Sequence, residues 1–310
     1  MRVLVVTNLW PTPESPAQGG FVRDQVEALQ MIDGLDVEVF TFGTGSREYL
    51  RAAVEAKRRY RRHSFDVIHA HYGLCGWTAL PITGAPHVVT FHGTDLAHPW
   101  VGPLSRTLAK LIALPAPVST TLARDGLPSH SDDLAVLPCG VNLDRFRRID
   151  RREARTALGL DPEAPYLLFP ADPARPEKRF DRARALADEA GVELLKYERR
   201  PPEQVPLMIN AANAVLVTSD REGFGLAPLE ALACDVPVLA TDAGIASLAL
   251  ENVGGTLCAA FDRARWTAAL EPHVQAADPR VDGRSRAALF DRNRLAERVF
   301  RAYQDIAARA

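Results

Sequence analysis

The 310-residue chain has almost no excess charge of either sign, since 39 acidic side chains nearly balance 37 basic ones. Its formal net charge of −2 argues against a dedicated nucleic-acid binder, a class of protein that is usually basic. The cysteines are few, widely spaced and without a C-x-x-C pair: Cys75, Cys139, Cys234 and Cys258. We therefore expect free thiols, and neither a disulfide framework nor a metal site.

Long apolar runs are also missing. No run approaches the roughly 20 residues that a membrane-spanning helix needs, and the apolar residues 3–6 are too few for the core of a signal peptide. The sequence has no short-period repeat and no low-complexity tract. These absences lead us to expect a cytoplasmic protein.

A hydrophobic content of 47% is enough for a sizeable core, and the length suits two domains. Apolar runs alternate with helical patterns throughout, which predicts parallel sheets. The predicted strands are 2–7, 36–41, 65–70, 86–91, 115–119, 133–137, 165–169, 192–196, 213–218 and 236–241. The predicted helices are 21–31, 47–62, 103–113, 151–158, 179–190, 203–212, 226–234, 262–271 and 284–308. Two such sets predict an α/β protein whose two Rossmann-like, doubly wound domains face each other across a ligand cleft.

The most informative segment, 220–230, joins a strand-like run to a helix-like run. Glu222 lies in the loop beside Gly223 and Gly225, and Glu230 is expected about two turns inside the helix. Glycines let backbone approach a ligand closely, and a helix start offers unpaired N–H groups that suit a phosphate. Turn glycines and a solvated carboxylate explain each piece separately, but the order of the pieces is far more specific.

This order resembles the E-x7-E signature of family 4 glycosyltransferases, which have the GT-B fold, and the resemblance extends over nearly the whole chain. It implies a retaining enzyme that moves a sugar from a nucleotide-diphosphate sugar to a hydroxyl acceptor. By the same resemblance, Glu222 is catalytic and holds hydroxyls of the transferred sugar, while Glu230 binds the ribose. The other donor-binding residues that it implies in this segment are Gly223, Phe224, Gly225 and Leu226.

A second donor-side motif occupies residues 175–178. The resemblance implies that Lys178 is catalytic and places a point charge on the leaving diphosphate. Pro173 stands where the family usually has an arginine, and Arg175, two residues later, is expected to replace that guanidinium. A further departure is the loop 243–247, where relatives usually continue Gly-Gly-Ile-Pro-Glu. Neither a metal nor a cofactor is implied.

The first half of the chain carries three more motifs. Gly19 and Gly20 precede a predicted helix and resemble the loop that faces the donor diphosphate, although a plain turn explains them equally well. His92 belongs to a segment that resembles the family's His-Gly-x-Asp, which implies a catalytic histidine that contacts the transferred sugar. Asp95 of the same segment and His71 of another strand end are assigned to the acceptor side.

His69 and His71 lie two residues apart on one strand face. Packing or acceptor-side hydrogen bonding is favoured for them over a metal pair, because no third ligand is evident nearby.

The domain boundary is predicted within 139–146. It separates an N-terminal acceptor-side domain, 1–145, from a nucleotide-sugar-binding domain, 146–285, followed by a helix, 286–310, that packs back on the first domain. A basic cluster at 57–63 has two interpretations. It is a solvated helix end, or it attracts anionic lipid at the inner face of the membrane and brings the enzyme to a lipid-linked acceptor.

The acceptor stays open among a cell-surface polysaccharide, a lipid-linked glycan and a natural product. Two alternative functions remain: a nucleotide-sugar epimerase, or a non-catalytic GT-B protein that binds nucleotide sugars.

Overall fold

The computed structural model describes residues 1–16, 18–127, 134–197 and 201–310. Within them the chain forms two compact units. The first unit comprises Met1–Gly140 and Arg292–Ala310, and the second unit comprises Val141–Asp291. The sequence placed the corresponding boundaries after residues 145 and 285.

Each unit contains a five-stranded parallel sheet. The strands of the first unit are β1 (Arg2–Thr7), β2 (Asp36–Thr41), β3 (Val67–His71), β4 (His87–Phe91) and β5 (Leu114–Pro117), in the order β2-β1-β3-β4-β5. Those of the second unit are β6 (Tyr166–Phe169), β7 (Glu193–Lys196), β8 (Ala214–Val217), β9 (Val238–Ala240) and β10 (Leu257–Cys258), in the order β10-β9-β8-β6-β7. Several of the strands, such as β6, β8 and β9, are continuous apolar runs because helices cover both faces of each sheet.

The helices of the first unit are α1 (Gly20–Gln30), α2 (Ser46–Tyr60), α3 (Gly73–Ala79), α4 (Thr94–Ala97), α5 (Val101–Ala109), α6 (Thr120–Gly126) and, after the second unit, α14 (Arg292–Ala307). Side chains of α2, α3 and α5 pack together with Leu4 and Val6 of β1 on one face of the sheet. Side chains of α1 and α14 pack together with Val3 and Val5 of β1 on the other. The alternation along β1 thus separates two helix layers.

The helices of the second unit are α7 (Arg151–Ala157), α8 (Phe180–Ala190), α9 (Val205–Ala211), α10 (Ala227–Ala233), α11 (Ala246–Leu250), α12 (Arg263–Gln275) and α13 (Arg284–Ala287). Its core joins β6, β8 and β9 to α8 and α12 around Trp266, which is 0% exposed. No helix in the described part of the chain combines the length and apolar composition of a bilayer span. All four cysteines are free thiols, as predicted.

One predicted strand, 133–137, was wrong over 134–137, and residue 133 lies outside the described residues. Ala135 and Leu137 do donate their N–H groups to the carbonyls of Pro115 and Pro117 in β5. The return bonds of a ladder would need N–H groups that prolines lack, so the pairing never becomes a strand.

The predicted helix 284–308 was also wrong as a single element. It is divided into α13, a 3₁₀ turn at Ala288–Phe290, and α14, because Asp291 adopts an extended backbone (φ −57°, ψ 138°). The sequence missed the short elements α3, α4, α6, α11 and β10, which hold too few residues for a periodic pattern.

We expect Trp266→Ala to lower the free energy of unfolding by about 3–5 kcal/mol, because it empties the centre of the second core. Trp100→Ala is the matched control. Trp100 is 82% exposed, so its removal should change that free energy by less than about 0.5 kcal/mol. Denaturant unfolding followed by circular dichroism measures both, and equal losses would contradict this description of the core.

Candidate active site

The order in which the chain adds strands to the second sheet reverses between β6 and β8. β6 pairs with β7 on one side and with β8 on the other, so the loops after β6 and β8 leave the sheet side by side at its carboxyl edge. Ligands of open α/β sheets bind at such a switch point. Lys178 follows β6 and Glu222 follows β8, so the topology itself brings these two predicted residues together.

Lys178 and Glu222 form an ion pair in which the ammonium nitrogen lies 2.6 Å from both carboxylate oxygens. The two side chains are only 12% and 11% exposed. Ser219, directly upstream in the same loop, donates its hydroxyl to Oε1 of Glu222 at 2.7 Å. Shielding from water strengthens both contacts, so the carboxylate is held in one orientation.

Hydrogen bonds between the two loops keep the ion pair in place. The Asp220 N–H donates to the Glu177 carbonyl at 2.9 Å, and the Thr218 hydroxyl lies 3.1 Å from the Lys178 carbonyl. The Asp220 carboxylate also binds the guanidinium groups of Arg179 and Arg182, at 3.1 and 2.7 Å. Lys178 is thus fixed to the β8 loop through its backbone as well as its side chain.

A third loop, after β9, packs onto Glu222 and requires a glycine. Gly244 has a φ of +63°, and a Cβ there would lie 2.2 Å from the Phe224 carbonyl oxygen and 2.7 Å from Glu222 Cβ. The Ile245 N–H donates to the same carbonyl at 2.7 Å. Gly225, at φ +82°, likewise faces the Glu222 side chain. The altered 243–247 loop therefore still supports the carboxylate.

Glu230 lies in the first turn of α10, not two turns inside it, because the loop after β8 takes up most of the spacing from Glu222. Leu226 occupies the N-cap position of the same helix. Next to Glu230 is Tyr197, which the sequence did not single out. Burial, and after it the nearby Glu230 carboxylate, raise the pKa of the Tyr197 hydroxyl well above its usual value, so that hydroxyl stays protonated.

Arg175 directs its guanidinium at a neighbour in its own loop. Its Nη2 lies 2.6 Å from Oε1 of Glu177, and its side chain is 51% exposed. Lys178, by contrast, is turned into the site on the 3₁₀ turn Pro176–Lys178.

In the first unit, three predicted segments meet at the carboxyl edge of the sheet. His71 ends β3 and His92 follows β4, and His71 Nδ1 lies 3.2 Å from His92 Nε2 in a hydrogen bond. Phe21, in the first turn of α1, packs its ring 4.9 Å from that of His92. Gly19 precedes α1 at φ +67°, where a Cβ would overlap the Leu9 carbonyl, whereas Gly20 has open space.

His69 is enclosed by hydroxyl groups. Its ring nitrogens bond to Tyr303 of α14 at 2.5 Å and to Thr90 of β4 at 2.7 Å. The Nε2 atom of His71 is buried and has no hydrogen-bond partner among the described residues. Thr90, Phe21 and Tyr303 lie far apart in sequence, so their contacts with these histidines could not be predicted from the spacing of residues.

Burial keeps these histidines neutral. It lowers the pKa of His69 and of His92 to about 3, and that of His71 well below its usual value. The neighbouring rings add a smaller electrostatic effect in the same direction at His69 and His71. The rings can therefore bind as neutral donors and acceptors.

Asp95 is completely buried and binds backbone. Its carboxylate accepts N–H groups from Gly93 at 2.9 Å, from His92 at 3.1 Å and from Gly73 at 3.1 Å. Burial raises the pKa of Asp95 to about 6. Asp95 thus connects two segments: the turn that contains His92, and the start of α3 at Gly73.

Comparison with known proteins agrees with this architecture. Residues 2–145 match the family Glycosyltransferase Family 4, and residues 173–278 match Glycosyl transferases group 1. A D-inositol 3-phosphate glycosyltransferase of Mycolicibacterium paratuberculosis is 30% identical over 338 residues, covering 90% of this chain and 73% of the relative. The chain belongs to the family 4 glycosyltransferases. The predicted family and enzyme class are confirmed.

A second D-inositol 3-phosphate glycosyltransferase, from Mycobacterium avium, is also 30% identical to this transferase and covers 93% of it, over 80% of the relative. Sucrose-phosphate synthase of Thermosynechococcus elongatus superposes with a TM-score of 0.74 at 19% identity, covering 100% of the transferase and 99% of that chain. Anabaena HepE in complex with UDP and glucose gives 0.72 at 15% identity, covering 98% and 100%. These structures establish the GT-B fold, with two Rossmann-like domains.

We expect the stability of the transferase to fall as the pH drops below about 6.5, because of the buried histidines. The unfolded His69 ring takes up a proton near its ordinary pKa of 6.5, whereas the folded ring stays neutral down to about 3. Between these values the unfolded state binds more protons, so stability rises with pH by up to about 1.4 kcal/mol per unit and per ring. Asp95 acts in the opposite direction, since its folded pKa is raised from 3.8 to about 6.

A His69→Gln variant keeps Asp95, so the difference in pH dependence between this variant and wild type reports the contribution of His69 alone. Denaturant unfolding from pH 4 to pH 7 should give a shallower slope for His69→Gln, while His63→Gln, at an exposed ring, controls for the substitution. Parallel slopes for His69→Gln and wild type would contradict the assignment.

Proposed function

We propose that the transferase moves a sugar from a nucleotide-diphosphate sugar to a hydroxyl acceptor, with retention of anomeric configuration. The observation that carries this proposal is the enclosed Lys178–Glu222 pair at the switch point of the second sheet. Further support comes from HepE, a protein of the same fold that was solved with UDP and glucose. The relatives named for D-inositol 3-phosphate support a hydroxyl acceptor.

Lys178 is proposed to neutralise the leaving diphosphate. A lysine ammonium has three N–H donors, and the two contacts to Glu222 leave one for a phosphate oxygen. Cleavage of the sugar–phosphate bond increases the negative charge on the diphosphate, and a cation fixed beforehand stabilises that charge without reorganisation. The backbone amides of residues 225–227, at the start of α10, add donors for the same anion. This counter-charge comes from the chain, so the proposed reaction requires no metal.

Glu222 is proposed to hold hydroxyls of the transferred sugar. A carboxylate offers about four lone-pair sites, of which Lys178 and Ser219 use three. A carboxylate engaged in this way is a poor general base, which favours the diphosphate as the group that removes the acceptor proton. Glu230 is assigned to the ribose, beside the neutral hydroxyl of Tyr197.

His92 is proposed to bind a sugar hydroxyl as a neutral ring. A positively charged imidazole would oppose the positive charge that develops at the anomeric carbon, and the lowered pKa of His92 avoids this. Its contacts with His71 and Phe21 hold the ring in one orientation.

A donor panel tests the proposal. Incubation with UDP-, GDP-, ADP- and TDP-linked sugars, without acceptor, should give slow hydrolysis of one of them, with release of the nucleoside diphosphate. The anomeric proton coupling in the first-formed sugar or glycoside reports retention. Conversion of a nucleotide sugar to its epimer, or tight binding without turnover of any donor, would overturn the proposal.

With the donor identified, Lys178→Met and Glu222→Gln should each lower kcat by about 100- to 1,000-fold, as expected when a group that stabilises transition-state charge is lost. Lys110→Met and Glu203→Gln remove exposed side chains of the same types and serve as matched controls. Circular dichroism checks that each variant is folded. Unchanged turnover in both site variants would sink the mechanism.

A further inference from the structure

The outer face of α2 combines exposed apolar side chains with arginines. Leu50 and Val54 are 72% and 65% exposed, although they lie one helical turn apart on a regular helix. Arg47, Arg51 and Arg58 are exposed on the same face. The opposite face buries Ala52, Ala56 and Tyr60 against the sheet, so the core does not account for the exposed pair.

Further cations lie in the last turn of α2 and just beyond its end. Lys57, Arg61 and Arg62 are all exposed, and Glu55 is the exposed acid within this stretch of the helix. Arg59 forms an ion pair with Glu38 at 3.2 Å, and no other cation of residues 47–62 has an ion pair among the described residues. A chain with a net charge of −2 thus concentrates cations on one helix.

A second group of exposed apolar side chains lies along α5 and at its two ends, in the same helix layer. Trp100 precedes the helix, Leu104 is inside it and Leu111 follows it, and they are 82%, 49% and 57% exposed. Helix α3 packs between α2 and α5, and all three direct their inner side chains into one core on this face of the sheet. Their outer sides therefore point the same way.

We propose that this outer layer of α2 and α5 binds the surface of a membrane that contains anionic lipids. A solvated helix end would explain the cations alone, but not the exposed Leu50 and Val54 of α2 or the exposed Trp100 at the start of α5. Cations attract anionic headgroups, apolar side chains enter the boundary between headgroups and acyl chains, and tryptophan is enriched at that depth. The proposal does not depend on the identity of the sugar donor.

Vesicle co-sedimentation tests it with the full chain. The transferase should bind vesicles of equal parts phosphatidylglycerol and phosphatidylcholine, should bind pure phosphatidylcholine weakly, and should dissociate as the salt concentration rises. The triple variant Arg47→Gln/Arg51→Gln/Arg58→Gln should bind anionic vesicles about 100-fold more weakly, at about fivefold per cation.

The matched control is Arg294→Gln/Arg298→Gln/Arg301→Gln. It removes the same charge from exposed positions of α14, which covers the other face of the same sheet, and should leave vesicle binding unchanged. Equal loss in the two triple variants would mean that net charge alone governs binding, and would overturn the proposal.

The apolar part has its own readout. Leu50→Ser/Val54→Ser should weaken vesicle binding while keeping its salt dependence, whereas the arginine variant should reduce that dependence. Unaltered binding by the Leu50/Val54 variant would overturn the role of the apolar pair. Sedimentation velocity without vesicles tests whether the same face binds a second copy of the chain. A wild-type dimer that the Leu50→Ser/Val54→Ser variant dissociates would assign the face to self-association and overturn the proposal.

Discussion

The ion pair between Lys178 and Glu222 joins the two loops that form the candidate site of the second unit. Shielding two opposite charges from water is costly unless the two groups are well oriented and their remaining hydrogen-bonding positions are satisfied. Ser219 donates one hydrogen bond to the carboxylate, and the hydrogen bonds of Asp220 and Thr218 connect the two loops to each other. The lack of a side chain at Gly244 lets a third loop close over the pair. Three loops thus share the task of fixing one pair of charges.

At the carboxyl edge of the first sheet, the buried histidines are neutral rather than paired as ions. Its histidines are neutral because burial makes the charged ring too costly, and their partners are hydroxyls or one another. The carboxylate of Asp95 is directed at backbone amides, where it sets the turn before α4. The charged groups of the second unit suit a diphosphate, whereas the neutral rings of the first suit hydroxyl groups.

The sequence was a good guide wherever one physical signal dominated. β1 is a buried apolar run and β2 is rich in β-branched and aromatic residues, so both strands were predicted to the residue, and the E-x7-E order identified the loop after β8. Prediction failed where a partner decides the outcome. Residues 134–137 look like a strand, but Pro115 and Pro117 cannot complete the ladder. The depth of Glu230 in α10 depended on loop length, and the roles of Ser219, Phe21 and Tyr303 on contacts that no spacing reveals.

The placement of α14 has a consequence for biosynthesis. Tyr303 is completely buried and bonds to His69, and Val299 and Ile306 fill the same core, so the first sheet lacks one of its covering helices until α14, which follows the whole second unit, has been synthesised. The second unit is continuous in sequence and holds all of its core by Asp291. The second unit is therefore able to fold first, while the first unit stays partly uncovered until α14 has been synthesised.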